Sequence, residues 1–330
     1  MNTDEVRKWV REYVTGCEHP DFRAYAGDLA NSSMPRFLWF MEYLVRRGKM
    51  RHGRILDIGC GFGWQAVAIS MLASGTVVAN DIRPLMTAIV SERVGAIRRK
   101  GAPVSVDVLT GDICTEKLPE ASFDAIVCNQ TIEHVHDLAM MLRACFQTLR
   151  PGGSIVITND NNALNRRHFT KIQHMWKRRD SDWDFIKELK EKRSEENREI
   201  QPYAVMREQI VRRMNPGLSD HEVQAIVEAT AGLVKPDIES VARNYNPIKS
   251  LPTPPKLSWC RNPLTGEYCE RQFDPFAVAD MMRSLGLLAH VRHGFRKWPL
   301  SWFDGITIRP INRWLFERRR LFIIVGLKPR

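Results

Sequence analysis

The sequence predicts an α/β fold: a doubly wound, mostly parallel seven-stranded sheet with a helical insertion after the fifth strand. Three observations lead there. Short apolar runs alternate with helical patterns across residues 54–160. Charged sequence of helical period replaces them after Asp160. Two more strand-like runs return beyond Asp274. Strand–helix alternation with short connections covers both faces of a parallel sheet, so its strands read as continuous apolar runs.

Each element has its own local signal. Asp4–Val14 and Met34–Arg47 are helical patches, and the second places Phe37, Leu38, Met41, Leu44 and Val45 on one face. RILDIG (54–59) is a buried strand running into glycines, and Phe62–Ala73 is the helix after it. TVVANDI (76–82) is the second strand, and Pro84–Lys100 is a helix with proline near its start. VSVDVL (104–109) and FDAIVCN (123–129) are the third and fourth strands. His136–Leu149 is a helix that Pro151-Gly152-Gly153 should stop, and SIVITND (154–160) is the fifth strand.

Residues 161–256 show no strand signal; Asp184–Leu189, Val205–Met214 and Val223–Val234 have amphipathic helical spacing. LPTPPK (251–256) is a stop, and RNPLTGEY (261–268) is a turn in which Gly266 can take a positive φ. Asp274 and Pro275 suit the N-cap and first position of a helix that ends at Gly286. LLAHVRH (287–293) and RLFIIVGL (320–327) supply the last two strands.

The chain has 330 residues, 44% of them apolar, enough for a sizeable core. Apolar runs are too short for a membrane-spanning helix. The first twenty residues carry charge throughout and lack the apolar middle of a secretory leader, so a cytoplasmic protein is expected. Seven cysteines at irregular spacing argue against a disulfide framework. A zinc site would have to combine Cys260, Cys269, His290 and His293, and no CxxC pair supports it. The net charge is +11, but residues 1–160 hold 18 basic and 18 acidic residues, whereas residues 271–330 hold 12 and 4. The last sixty residues thus carry +8, a localised basic surface that suits an anionic partner.

The sharpest motif is Asp57-Ile58-Gly59-Cys60-Gly61-Phe62-Gly63, which follows a strand and opens a helix. Glycines there permit a tight turn and close approach of the backbone to a ligand. Asp81, eighteen residues after Gly63, can accept both hydroxyls of a ribose. The GxGxxG spacing of a dinucleotide site is missing, which favours a nucleoside cofactor without a pyrophosphate. Gly111-Asp112-Ile113 follows the third strand, where an acid can bond an adenine amino group and Ile113 can pack on the ring. Asp81 and Asp112 taken singly could serve only as helix caps.

These residues carry a family resemblance. ILDIGCGFG, ANDI, GDI, FDAIVCNQTIEHVHD and LRPGGSIVIT resemble the class I methyltransferases, nearest the small-molecule branch that includes ubiquinone-biosynthesis methyltransferases. The resemblance covers residues 54–160 well and 273–330 loosely. It implies a Rossmann-like core and S-adenosylmethionine as cofactor. Asp57, Gly59 and Gly61 would hold its methionine end, Asp81 its ribose, and Asp112 and Ile113 its adenine, with Ile82 a further cofactor contact. Asn129 and Gln130 would sit beside the methionine moiety and the sulfonium. The chain then divides into residues 1–160, N-terminal helices plus the cofactor-binding core; 161–270, a helical substrate cap; and 271–330, the completion of the sheet.

Methyl transfer from a sulfonium is an in-line displacement with a neutral leaving group. Alignment near 3 Å can supply ~7–11 kcal/mol, and a general base about 10²–10⁴-fold more for a hydroxyl acceptor. His134 and Glu133 are the catalytic candidates, with His136, Asp160 and His168 nearby; imidazole titrates near neutrality. In the run Gln130-Thr131-Ile132-Glu133-His134, an amide stands where some relatives place a metal-binding carboxylate, so no metal is expected.

The expected acceptor is a small or lipid-linked anionic molecule, methylated on oxygen or nitrogen. Signatures of base-amino and cytosine carbon-5 methyltransferases are missing, which leaves an RNA methyltransferase as the second reading. A non-catalytic scaffold would show a damaged glycine loop, and this one is intact. The basic stretch Arg166, Arg167, His168, Lys171, Lys177, Arg178 and Arg179, with Trp176, falls in the insertion, and Lys187–Arg198 reads as a solvated helix. The tail interleaves Trp298, Trp302, Phe303, Trp314 and Phe316 with Arg296, Lys297, Arg309, Arg313 and Arg318–Arg320. Those aromatics suit either peripheral membrane contact or the core between the last two strands.

Overall fold

The computed structural model describes residues 2–192, 201–248, 250–292 and 309–330. Seven strands form one sheet: β1 (Arg54–Ile58), β2 (Thr76–Asp81), β3 (Val106–Thr110), β4 (Phe123–Asn129), β5 (Leu149–Asn159), β6 (Leu288–Arg292) and β7 (Phe322–Leu327). Their order is β3-β2-β1-β4-β5-β7-β6. The first five are parallel, and β7 runs antiparallel to both β5 and β6. The chain winds outward from β1 toward β3, then returns to place β4 on the other side of β1. The direction of winding therefore reverses between β1 and β4, and the crevice at their carboxyl ends is where open α/β sheets bind ligands.

Period-2 alternation sorts each strand's side chains onto two cores. Ile55 faces one cluster while Leu56 and Ile58 face the other. The first cluster lies under α1 (Thr3–Thr15), α2 (Pro20–Asp28), α3 (Met34–Arg47), α4 (Trp64–Ala73) and α5 (Pro84–Arg99). A π-helical turn, Leu29–Ser33, joins α2 to α3. The second cluster lies under α6 (Leu138–Thr148) and α12 (Pro275–Ser284), with Phe316 from α13 (Arg309–Phe316) inserted against Phe276. Between them the chain forms α7 (Arg166–Ser181), α8 (Trp183–Lys192), α9 (Tyr203–Met214), α10 (Asp220–Ala229) and α11 (Lys235–Arg243). These helices bury clusters of their own, one around Ile210, Val211, Val223, Ile226 and Ile238, the other around Trp176, Tyr203, Met206 and Cys260.

Several local expectations need correction. Pro151-Gly152-Gly153 does not stop a helix; α6 ends at Thr148, and the chain is already in β5 at Leu149. Leu149 pairs with Phe123 and Ser154 with Ala125, so the Pro-Gly-Gly segment is a bulge, with Gly152 at φ +78°. Trp176 is not exposed with the basic stretch around it. It is fully buried, and its Nε1 donates to the Cys269 carbonyl. Arg178 and Arg179 are consumed internally, Arg178 by Asp182 and Arg179 by stacking on Tyr203. The tail aromatics divide: Phe316 is core, whereas Trp314 is exposed beneath the Arg318 guanidinium. Trp298, Trp302, Phe303, Arg296 and Lys297 lie outside the described residues.

No disulfide links the seven cysteines. Cys260 and Cys269 face each other across the Arg261–Tyr268 bridge, His290 is on β6, and His293 lies outside the described residues. Among the described residues, no helix is long and apolar enough to cross a membrane.

Candidate active site

The loop after β1 is shaped by its glycines. Gly59, Gly61 and Gly63 take φ of +67°, +50° and +77°, which side chains rarely adopt. A Cβ on Gly59 would lie 2.2 Å from Thr131 Cγ2, so this glycine lets the loops after β1 and β4 touch. Gly63 is the N-cap of α4, and that helix start has no side-chain cap. From the other side, the Tyr13 hydroxyl of α1 donates to the Phe62 carbonyl at 2.7 Å. Helix α1 is itself clasped by buried Arg93, whose guanidinium donates to the carbonyls of Glu12, Tyr13 and Gly16.

Asp57 sits in the sheet with its side chain toward α4. Its Oδ1 accepts from Gln65 Nε2 at 2.7 Å; its Oδ2 is buried with no hydrogen-bond partner. Burial pushes its carboxyl up to about 7, against the Gln65 hydrogen bond, which favours the charged form. Gln65 Oε1 in turn accepts from Asn129 Nδ2 at 2.9 Å, and Asn129 Oδ1 accepts from Thr158. Asn129 thus spends its side chain inside this network. Gln65 was not legible as a site residue, although its place two residues after Gly63, on the first turn of α4, is the signal that could have found it.

Asp81, at the carboxyl end of β2, is buried. Its Oδ2 accepts from the Gly61 amide at 2.9 Å and its Oδ1 from the Arg83 amide at 3.0 Å. Arg83 Nε is also 3.5 Å from Oδ1, so of a carboxylate's roughly four lone-pair sites one remains unshared, on Oδ2. Beside it Ile82 is 61% exposed, an unpaired apolar side chain at the rim. Asp112 accepts from the Cys114 amide through Oδ1 and faces His136 Nδ1 at 3.5 Å through Oδ2. Ile113 is buried. Gly59, Gly61, Asp81, Ile82, Asp112 and Ile113 are therefore gathered at the carboxyl ends of β1, β2 and β3.

The second half of the site follows β4 and β5. Gln130 has a φ of +52°, and its Oε1 accepts from the Asp160 amide at 3.2 Å. Glu133 is buried and accepts from Asn159 Nδ2; burial pushes its carboxyl up to about 7, opposed first by neighbouring His134. His134 itself is turned outward, its Nδ1 3.3 Å from the Tyr268 carbonyl. Asn161 donates to Glu270 at 2.6 Å, and His168 Nε2 lies 3.5 Å from Asn161 Oδ1. Burial, then Arg320, holds His168 below the usual imidazole range. Glu270, a contribution of the insertion that sequence reading missed, takes a φ of +54°. Arg320 pairs with Asp160 at 2.7 Å, tying the basic tail to the site. A separate open depression of ≈ 830 Å³, lined by His52, Arg54, Asp107, Asp124 and Arg150, lies at the opposite, amino edge of the sheet.

Residues 56–157 match the family model described as a methyltransferase domain. That segment is a class I methyltransferase domain. Within it, the donors and acceptors above fit S-adenosylmethionine: an unpartnered buried carboxylate oxygen on Asp57 for a cation, and an unshared lone pair on Asp81 Oδ2 for a hydroxyl. The chain is 31% identical over 124 residues to a ubiquinone biosynthesis O-methyltransferase of Xanthomonas campestris, covering 37% of this chain and 48% of that protein. It is 31% identical over 128 residues to one from Pseudomonas putida, covering 38% and 50%. The chain thus spans about half the length of the curated relatives it matches. The fold is similar to that of an S-adenosylmethionine-dependent methyltransferase from Mesorhizobium loti, at 17% identity and a TM-score of 0.44, covering 87% of this chain and 97% of that one.

Proposed function

We propose that the protein is an S-adenosylmethionine-dependent methyltransferase acting on a small or lipid-linked anionic molecule. One observation carries the cofactor reading: the buried, partnerless Asp57 Oδ2 at the foot of a glycine loop whose other side is bonded to Asp81. An ammonium such as the cofactor's is the group that such an oxygen lacks. Asp81 would take the ribose hydroxyls, with Ile82 against the adenine face and Asp112 and Ile113 at its edge. Gly59 and Gly61 leave room for the methionine end, and Asn129 and Gln130 shape the floor near the sulfonium.

The cofactor supplies an activated methyl group on a neutral-leaving sulfonium, so the protein's work is alignment and proton management. The acceptor would enter between the loop after β4 and the insertion, facing Glu133, Asn161, His168 and Glu270. Glu133 is the better base for a hydroxyl acceptor, because its raised carboxyl titrates near neutrality inside the site. Exposed His134, oriented toward Tyr268, is the second candidate. Support for an anionic acceptor comes from the +8 charge of residues 271–330 and from Arg320 at the site's edge. Peripheral membrane contact would use exposed Trp314. RNA is the second reading, and it differs in extent of contact: many phosphates release many counterions.

The test has two arms. Calorimetry with S-adenosylhomocysteine should show binding that Asp81→Ala weakens by ~1.5–3 kcal/mol per lost charge-assisted bond; unchanged affinity would remove Asp81 from the ribose. Mass spectrometry of a metabolite pool incubated with isotopically labelled cofactor should identify the acceptor. Label transfer to RNA alone, with binding that falls steeply with salt, would replace the small-molecule reading.

A further inference from the structure

Two loops meet at the rim of the cofactor side. The loop after β3 carries Asp112 and Cys114, and the loop after β4 carries His136. One carboxylate oxygen, the thiol sulfur and one ring nitrogen of these residues all lie within 4.8 Å of one another. Among the described residues no other group of three such side chains comes together. The group is separate from the Gln130–His134 run.

We propose that Asp112, Cys114 and His136 form a Zn²⁺ site with its fourth position open. The donor set decides the metal: one sulfur, one nitrogen and one oxygen suit a borderline-soft ion and exclude Mg²⁺ and Ca²⁺, which take oxygen ligands. Tetrahedral zinc with bonds of about 2.0–2.3 Å puts its ligand atoms roughly 3.3–3.7 Å apart. The His136 Nδ1–Asp112 Oδ2 edge is already 3.5 Å. The two edges to the sulfur are at most 4.8 Å, and closing them needs movement of exposed His136 together with rotation of the Asp112 or Cys114 side chain. Asp112 and Cys114 are held as a unit, since the Cys114 amide donates to Asp112 Oδ1 at 2.9 Å. The thiol donates to the Asp137 carbonyl at 3.5 Å. Binding therefore exchanges one thiol proton for the metal: the S–H bond breaks, the S–Zn bond forms, and one proton leaves to solvent.

The site has a consequence that rests on the proposed cofactor role of Asp112. Zinc and adenine would both need that carboxylate, so metal and cofactor should exclude each other and zinc should inhibit methyl transfer.

The ligand-free full chain can be titrated with Zn²⁺ against a chromophoric chelator. One equivalent should bind, and Cys114→Ser and, separately, His136→Ala should each weaken it by about tenfold or more. Co²⁺ should give a thiolate charge-transfer band in the parent protein that Cys114→Ser abolishes. Replacing Cys260 and Cys269 by serine, as a control, should leave both signals intact. Affinity unchanged in Cys114→Ser and in exposed His136→Ala, or a cobalt band lost only with Cys260 and Cys269, would overturn the site. S-adenosylhomocysteine should displace the metal; if both bind together, the zinc site stands and the adenine role of Asp112 falls.

Discussion

Replacing Asp57 by asparagine tests the energetics of the glycine loop. In the folded protein the carboxyl titrates at about 7, raised by burial, whereas an unfolded aspartate titrates near 3.9. The folded state therefore holds the proton more tightly between these values. Stability is greatest below about pH 4 as far as this group is concerned, and falls as pH rises through 7. Three units at 1.36 kcal/mol each set the full cost near 4 kcal/mol, of which about 2–3 kcal/mol appears between pH 5 and 8. Asparagine keeps an oxygen to accept from Gln65 and places a neutral amide where Oδ2 lacks a partner.

The ligand-free parent should accordingly lose on the order of 10–20 °C of melting temperature from pH 5 to 8, at roughly 2–4 °C per kcal/mol for a chain of this order of size. Asp57→Asn should remove about half of that slope, because Glu133 titrates in the same window and in the same direction. Differential scanning calorimetry across the pH series, with and without S-adenosylhomocysteine, measures both halves. The variant should be more stable than the parent at pH 8 and bind the ligand more weakly, having lost the anion that meets its ammonium. A pH slope identical in parent and variant would refute the burial argument, and undiminished affinity would refute the assignment of that oxygen to the cofactor.

Gly59→Ala should cost more than a surface substitution, since the backbone is at φ +67° and the methyl would strike Thr131; about 1–3 kcal/mol of strain and a lower melting temperature are expected by thermal denaturation. Arg93→Ala should strand the carbonyls of Glu12, Tyr13 and Gly16 at ~1–3 kcal/mol apiece, and limited proteolysis should then cut within residues 2–33 before the sheet unfolds; unchanged proteolysis would show that α1 is held by its apolar face alone.

The sheet was largely legible because its strands are apolar on both faces, so composition alone separates them from their surroundings. Asp81 and Asp112 could be singled out as candidates for a related reason: polar residues at the carboxyl end of buried strands stand out against the runs that precede them. The beginning of β5 was not, because Pro-Gly-Gly marks a turn locally, and only pairing of Leu149 with Phe123 makes it a bulge. The buried position of Trp176 was not legible for the same kind of cause. Its neighbours in sequence are lysines and arginines, but its neighbours in space are Phe169, Trp259 and Cys260. Glu270 and Glu133 are far apart in the chain, and nothing local in either announces the other. Gln65 is an amide in an apolar helix, and its meaning depends on Asp57 and Asn129 both reaching it.

The antiparallel pairing of β5 with β7 bears on how the chain can be made. Ser154 must find Leu327, a separation of 173 residues by their numbering. At about 5–20 residues per second, a ribosome needs on the order of 10–30 s to supply that partner. Through that interval β5 is an edge with unpaired amides and carbonyls, the kind of surface on which chains stick to one another. The separate apolar clusters of α7–α11 offer the emerging segment something to fold around while β5 waits. Compacting the intervening chain in this way shortens the loop to be closed, so the last strand arrives at a sheet already held within reach.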